Sequence, residues 1–286
     1  MKTVVQFLNS KYFFLIIISN FVFSFDRDFN TSIWVERHHL YSKSSIESLI
    51  FYAFENNIKD IFLQVRSRDD ALYKSKLVTF NQNVDENLDP LEYALILGDL
   101  LNIEIHAWIN TYLVWTSPKP PFDKEHILFK YPEWIDNTSE NNKLDNSIYL
   151  SPSHPEVNVY LFDIIEELIK EYPNIAGIHF DYIRHNDKNH GFNDEAISQF
   201  QKEYFFNPKL VIQNYTELGL SKVETDSLIN LWSTFNQENI TTLLKDIKNF
   251  INSRNSKILL SAAVKPNPLE AKNRWSQDWV KWINDG

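Results

Sequence analysis

Short apolar stretches alternate with longer amphipathic segments along most of the chain. The short stretches predict strands at residues 32–40, 59–67, 103–110, 175–183 and 257–265. The amphipathic segments predict helices at residues 43–57, 90–101, 153–172, 193–206 and 224–253, with another beginning at residue 278. Strands that alternate with helices predict parallel pairing through helical crossovers, within one α/β domain.

Each predicted strand has one aliphatic face and one face that becomes polar toward its C-terminal end. In the fourth strand, Ile178 and Phe180 share one face, whereas Gly177, His179 and Asp181 share the other. An open, doubly wound sheet is covered by helices on both faces and predicts continuous apolar runs instead. The pattern therefore favours a (β/α)8 TIM barrel, whose active site lies at the C-terminal ends of the strands.

The number of predicted strands is smaller than a closed barrel requires. Five strands are predicted, whereas the barrel has eight. Residues 274–286 are typical of a helix and turn that lead into a further strand. We expect either a barrel fragment that is truncated at its C-terminus, or a smaller open sheet.

The N-terminal segment has the pattern of a secretory signal. Lys2 and Lys11 precede a short, mostly apolar run from Tyr12 to Phe25, after which the sequence becomes abruptly polar. This run is too short for a comfortable membrane span and suits a signal peptide. We expect residues 1–25 to be removed and the mature domain, residues 26–286, to be exported to the periplasm or the cell exterior. An uncleaved anchor and a buried N-terminal strand are the alternatives.

Composition excludes several classes of protein. The hydrophobic fraction of 43% and the aromatic fraction of 15% are typical of a globular domain. The net charge of −10, without a long basic run, argues against a nucleic-acid partner. The absence of cysteine excludes disulfides and thiol catalysis. With only five glycines and no HExxH, GxSxG or phosphate-loop motif, we expect neither a metal nor a cofactor.

Several carboxylates are candidates for catalysis. Asp181 ends the fourth strand on its polar face, where partial burial could tune its pKa for acid or base chemistry. Glu36 is a candidate for a second carboxyl group, as is Asp69 or Asp70 in the loop after the second strand, because sugar hydrolysis commonly uses two. The alternatives are a salt-bridged Asp181 at the rim and surface charges at Asp69 and Asp70.

Seven further residues are predicted to line the same mouth and bind substrate. Aromatic rings can stack on sugars, and amide or cationic groups can hold hydroxyl groups. His106 could equally be a histidine of the barrel interior, and Trp134 is a further candidate for an aromatic cleft. The seven predicted binding residues are Arg66, His106, Trp108, Asn110, Trp115, His179 and Arg184.

Several segments resemble a known family in the family's own order. The stretches "IFLQVRSRDDALYKS", "DPLEYALILGDLLNIEIHAWINTYLVW" and "GIHFDYIRHN" are similar to motifs of the glycosyl-hydrolase-like family 10. The resemblance covers about residues 32–286. It implies a TIM-barrel glycoside hydrolase that is exported, some of whose relatives act on peptidoglycan glycan strands stripped of peptides.

The resemblance also implies roles for particular residues. It places the family's fourth-strand aspartate at Asp181, its second-strand arginine and loop aspartate at Arg66 and Asp70, and its third-strand residues at His106 and Asn110. Ser67 and Asp69 depart from the pattern, because the family's usual "RGRGDA" reads "RSRDDA" here. The family also continues past this sequence into further strands.

The leading hypothesis is an exported glycoside hydrolase of a cell-envelope polysaccharide. The first alternative is a carbohydrate-binding or envelope-interaction protein that keeps the scaffold without hydrolysis. A metal-dependent polysaccharide deacetylase is a third hypothesis, which loss of activity with a chelator would support. The oligomeric state cannot be predicted.

Overall fold

A computed structural model describes residues 31–140, 147–254 and 256–285. The predicted signal peptide, residues 1–25, lies outside the described residues. The strands are β1 (Thr31–Val35), β2 (Ile58–Ser67), β3 (Asp70–Ala71), β4 (Thr79–Phe80), β5 (Glu104–Asn110), β6 (Leu113–Trp115), β7 (Ile148–Tyr149), β8 (Gly177–Asp181) and β9 (Leu259–Ala262).

The helices cover one side of the strands or connect them. The α-helices are α1 (Lys43–Glu55), α2 (Pro90–Leu101), α3 (Ile127–Lys130), α4 (Pro155–Glu171), α5 (Asp194–Tyr204), α6 (Pro208–Asn214), α7 (Lys222–Ser253), α8 (Pro268–Trp275) and α9 (Trp279–Asn284). Two 3₁₀ turns lie at Arg37–Leu40 and Pro132–Trp134.

One mixed sheet organises these elements. Its order is β4-β3-β2-β5-β8-β9, with β1 also paired to β2, and the pairs β2–β5, β5–β8 and β8–β9 are parallel. Helices connect these parallel strands, as the alternating pattern predicts. The α/β class and the parallel sheet are therefore confirmed, whereas the described strands form an open sheet and not a closed barrel.

Local sequence signals explain where the main helices begin. Ser42 accepts a hydrogen bond from the Ser45 N–H at the start of α1, and Asp89 accepts one from Glu92 at the start of α2. Pro90 occupies the first position of α2, where its missing N–H costs nothing. The helices consequently start within one or two residues of their predicted positions.

The prediction for residues 32–40 is wrong in its second half. The strand ends at Val35, and the 3₁₀ turn Arg37–Leu40 follows, with the His39 N–H donating to the Glu36 carbonyl. The turn buries Leu40 completely, which a continued strand would not do at this distance from the sheet. Glu36 and His38 therefore do not extend the polar face of β1.

The two faces of the sheet differ as the alternation predicts. One face is buried under the helices. On β2 it carries the fully buried Ile61, Leu63 and Val65, and on β5 it carries Ile105, Ala107 and Ile109, whose exposed fraction is at most 2%. The opposite face carries a row of rings. Trp34 stacks on Phe62 at 4.7 Å between ring centroids, and Phe62 stacks on His106 at 4.6 Å.

His179 lies at the centre of this ring-bearing face and is held as a neutral imidazole. The Trp34 indole N–H donates to His179 Nε2 at 3.3 Å, so Nε2 must carry a lone pair and the proton resides on Nδ1. Nδ1 is 2.9 Å from the Ser261 hydroxyl, which can accept that proton. Burial, and then the neighbouring His106, lowers the pKa of His179 to about 4.

The neutral state of His179 predicts a pH-dependent stability. An unfolded histidine binds a proton near its usual pKa of 6.5, whereas the folded one binds it only near 4. The stabilisation that comes from neutral His179 is therefore fully present above pH 6.5 and is lost as the pH falls toward 4. Over this range the free energy of unfolding decreases by about 3 kcal/mol at most. Urea unfolding at several pH values should show that His179→Gln loses less stability than the wild type between pH 6.5 and pH 4. The exposed-site control His38→Gln should retain the wild-type slope, and an unchanged slope in His179→Gln would contradict the assignment.

Candidate active site

Asp181 stands where the parallel register brings the C-terminal ends of β5 and β8 together. Asn110 is directly opposite Asp181, and Trp108 is opposite His179. The Thr111 N–H donates to the Asp181 carbonyl at 2.7 Å, which extends the pairing past the end of β5. The structure thus brings three of the predicted site residues, Trp108, Asn110 and Asp181, to one edge.

The carboxyl group of Asp181 is partly desolvated. Burial raises its pKa, whereas the Tyr182 N–H, Arg184, Trp108 and Lys265 favour the ionised form and oppose the shift. The Tyr182 N–H donates to Oδ1 at 2.7 Å. The Trp108 indole lies close enough to act electrostatically, but its N–H has no well-directed partner among the described residues. A raised pKa suits a group that must deliver a proton.

Tyr182 has a conformation that is unusual for a residue with a side chain. Its φ of 51° lies in the left-handed region, immediately after Asp181. Such strain is common at functional sites. The N–H of this left-handed residue donates to the carboxylate of the aspartate that precedes it.

A buried amide network supports the neighbouring rim. Gln64 Nε2 donates to Asn110 Oδ1 at 3.2 Å, and Asn110 Nδ2 donates to the Ser67 hydroxyl at 3.2 Å. The Arg37 backbone N–H donates to Gln64 Oε1 at 3.4 Å, which joins the turn after β1 to the same network. Asn110 is buried, and protein groups on both sides fix the orientation of its amide.

Arg66 does not line the mouth as predicted. A register shift between Gln64 and Arg66 places Arg66 opposite Ile109, a residue of the helix-covered face. Its side chain is fully buried, and its guanidinium donates to the carbonyl oxygens of Asn110 and Thr111 and to Asp69. The predicted substrate contact is replaced by a support for the end of β5.

Asp69 is the counter-ion of Arg66, a role that the sequence analysis did not predict. Its Oδ1 is 2.7 Å from Arg66 Nη2 and accepts a hydrogen bond from the Tyr160 hydroxyl at 3.2 Å. Its Oδ2 accepts from the Ile127 N–H at 3.3 Å. Its φ of 55° explains why the resembling family commonly has glycine there. The signal in the sequence was the departure from the family's glycine at position 69, where the backbone is left-handed.

Asp70 and Glu36 lie apart from this network. Asp70 pairs with Arg37 at 3.2 Å and accepts from Asn81 Nδ2 at 2.9 Å. Burial raises the pKa of Asp70, and Arg37 opposes the shift. The Glu36 side chain is 70% exposed and approaches His38 at 3.5 Å. No hydrogen bond or ion pair joins either carboxylate to Asp181 within the described residues, and their predicted catalytic roles stay predictions.

Two predicted histidines lie below the mouth, within the ring-bearing face. His106 is 3.1 Å from Asp60 and stands opposite Gly177, four residues before the rim residue Asn110. At the rise of a strand this is about 13 Å from the rim. His179 is bonded to Trp34 and Ser261, as described above. Both therefore fit the alternative of interior histidines better than that of substrate ligands.

The predicted aromatic cleft is not assembled as a unit. Trp115 lies in the separate pair β6–β7, where its N–H donates to the Lys119 carbonyl at 2.8 Å. Trp134 is buried, stacks on Tyr131 at 4.1 Å and donates to Glu156. Of the three tryptophans, Trp108 alone has a described connection to Asp181.

The described residues contain no cluster of three histidine or acidic side chains with the geometry to hold a metal ion. None of the described helices has both the length and the apolar character needed to cross a membrane.

Comparison with known proteins gives the class to which this fold and site belong. Residues 31–286 match the sequence profile of the family described as glycosyl hydrolase-like 10. The chain belongs to this family, as its motifs indicate.

Two curated relatives carry glycosyl hydrolase names. Glycosyl hydrolase YngK of Bacillus subtilis is 28% identical over 158 residues, which cover 51% of this chain and 30% of the relative. Glycosyl hydrolase DigH of Escherichia coli K12 is 27% identical over 140 residues, covering 43% of this chain and 30% of the relative. The match therefore spans less than a third of either relative's length.

A solved structure shows the same fold at low sequence similarity. The crystal structure of a hypothetical protein from Ruminiclostridium thermocellum has a TM-score of 0.50 at 15% identity. The alignment covers 81% of this chain and 96% of that one. At this identity the likeness concerns the fold alone.

The buried pair of Arg66 and Asp69 predicts a large loss of stability when one charge is removed. Asp69→Asn keeps the size and the tolerance of a left-handed backbone but leaves the buried guanidinium without its counter-ion. We expect a loss of about 3–5 kcal/mol in the free energy of unfolding. The matched control Asp70→Asn weakens the partly buried pair with Arg37, whose side chains are 20% and 26% exposed, and should cost less, about 1–2 kcal/mol. Chemical denaturation measures both, and equal losses would refute the role of Asp69.

Proposed function

We propose that the protein is a glycoside hydrolase in which Asp181 is the acid/base residue. The observation that carries this proposal is the partly buried carboxyl group of Asp181 at the C-terminal edge of the parallel strands, with a raised pKa. Membership of a glycosyl hydrolase-like family supports the reaction class.

We also propose that the parallel strands are part of a (β/α)8 barrel. The neighbours β2, β5, β8 and β9 follow one another in the sheet in the order in which they occur in the chain. Doubly wound sheets reverse their strand order at a switch point, whereas a barrel does not. The ring-bearing face would then be the barrel interior, and Asp181 would lie at its catalytic end.

The chemistry follows from the protonation of Asp181. A carboxylic acid at this position can protonate the oxygen of the leaving sugar as the glycosidic bond breaks, and its carboxylate can then receive a proton from water. A second carboxyl group is needed as a nucleophile or as the base for water. We propose Glu36 for this role, because it is exposed and its neighbour Arg37 is bonded to the rim residue Gln64. Asp70 is already engaged by Arg37 and Asn81.

The proposed substrate is a cell-envelope polysaccharide, in particular peptidoglycan glycan strands without peptides. Export through a signal peptide in residues 1–25 is part of the same proposal, since such a substrate lies outside the cytoplasm. Both rest on the sequence pattern and on the family resemblance.

Replacing Asp181 by asparagine should remove turnover without unfolding the protein. We expect the release of reducing ends from peptide-free glycan strands by the full-length gene product to fall by a factor of about 10²–10⁴ in Asp181→Asn. Asp163→Asn, on the exposed side of α4, is the matched control and should leave turnover unchanged.

The possible outcomes separate the candidate functions. Equal turnover in the wild type and Asp181→Asn would remove Asp181 from the chemistry. Binding of strands without turnover in any folded variant would favour a carbohydrate-binding protein. Turnover that disappears with a chelator would favour a metal-dependent hydrolase.

In the wild type, activity should depend on Asp181 being protonated. Because its pKa is raised, the alkaline fall in kcat/KM should lie above the usual aspartate range near pH 4. A pH profile that already falls below pH 4 would contradict the role of a general acid.

A further inference from the structure

Arg184 is held in a fixed position beside Asp181. Its guanidinium lies over the rings of Tyr182 and Tyr149, at 5.3 and 5.5 Å from their centroids. Nη1 donates to the carbonyl oxygens of His185 and Asn186, both at 3.0 Å. These contacts use one edge of the guanidinium and leave its charge without an acidic neighbour in contact.

Lys265 is held in a similar way just past the end of β9. Its Nζ lies 4.7 Å from the centroid of the Trp275 ring. Its backbone is fixed on both sides, because the Lys265 N–H donates to Gln277 Oε1 at 3.1 Å and the Trp279 indole donates to the Lys265 carbonyl at 3.1 Å. β9 ends at Ala262, and Lys265 follows three residues later, near enough to Asp181 to act on it electrostatically.

Two contacts tie the segments that carry these cations together. Gln277 is 1% exposed, and its Nε2 donates to the carbonyl oxygens of Ile183 and Ala263. The His185 N–H donates to the Trp275 carbonyl at 3.2 Å. Arg184 and Lys265 therefore lie on adjoining segments that these hydrogen bonds join, and both act electrostatically on Asp181.

Neither cation forms an ion pair with a carboxylate in the part of the chain that the structure describes. This is unexpected for a chain with 38 acidic and 28 basic residues. The nearby Arg274, by contrast, pairs with Asp187 at 2.7 Å and with Glu270 at 3.4 Å. Two half-buried cations, neither of them ion-paired among the described residues and both interacting electrostatically with Asp181, form a positive patch beside that carboxyl group.

We propose that Arg184 and Lys265 form a subsite for a carboxylate carried by a sugar unit of the substrate. This inference rests on the proposed function, which it deepens by making the substrate an anionic glycan. Arginine can hold a carboxylate through two parallel hydrogen bonds, and lysine adds a compact charge. The carboxylate could belong to a uronic acid or to an acidic ether on the ring, and the experiment separates these sources.

The test compares glycans with and without their carboxyl groups. Binding to Asp181→Asn is measured by calorimetry with peptide-free glycan strands, whose carboxyl group is an ether substituent, and with a polyuronate oligosaccharide. Each is used intact and after chemical reduction of the carboxyl groups to alcohols. We expect reduction to weaken binding of one of the two glycans by about tenfold or more. Added salt should weaken only the intact form.

Variants locate the subsite. Arg184→Gln and Lys265→Met, each added to Asp181→Asn, should abolish most of the preference for the intact glycan, whereas Arg184→Lys should retain part of it. The matched controls are Arg254→Gln, whose cation lies over Phe250, and Lys43→Met, whose cation lies over Tyr93. Neither should change the preference.

The failure of this proposal differs from the failure of the proposed function. Equal binding of the intact and reduced forms, no binding of any form, or a preference that survives in Arg184→Gln and Lys265→Met would overturn the subsite. Loss of the preference in these variants, together with wild-type protein that binds but never cleaves, would support the subsite and reject hydrolysis.

Discussion

The buried guanidinium of Arg66 is the constraint on which the edge of the sheet depends. It donates to two carbonyl groups at the end of β5, those of Asn110 and Thr111. A buried cation without a counter-ion would be prohibitively costly, so Asp69 must be held beside it. Tyr160 and the N–H of Ile127 fix Asp69 in turn. The position of Asn110, and therefore that of its sheet partner Asp181, depends on Arg66.

The polar groups of the molecule are arranged in layers along the strands. The deepest layer contains His106 with Asp60, and the next contains His179 between Trp34 and Ser261. His179 is neutral and bonded at both ring nitrogens, and His106 is hydrogen-bonded to Asp60, so both rings are held by protein groups. Beyond them, at the C-terminal end of the strands, Asp181 interacts electrostatically with Arg184 and Lys265. The buried pair of Arg66 and Asp69 supports the same edge of the sheet.

Much of this organisation could be predicted from the sequence. The alternation of apolar and polar residues identified β2, β5, β8, β9 and their helices, and it placed His179 and Asp181 on one face. It failed at Arg66, because a single bulge reverses the facing of a residue and leaves no compositional mark. It failed at Asp69, because its burial depends on Tyr160, a residue of α4 far along the chain. It did not predict the position of Lys265 against the Trp275 ring, because these two residues lie outside the strands.

The left-handed backbone at Asp69 bears on how this chain could change over evolutionary time. Glycine, common there in the resembling family, tolerates φ of 55° without a side chain, whereas this chain has an aspartate that Arg66 now requires. Replacing Asp69 by glycine would relax that backbone but would leave the buried Arg66 guanidinium without its counter-ion. The same position is therefore subject to two opposing constraints, one from backbone conformation and one from charge, and a substitution that satisfies both must supply an anion at positive φ.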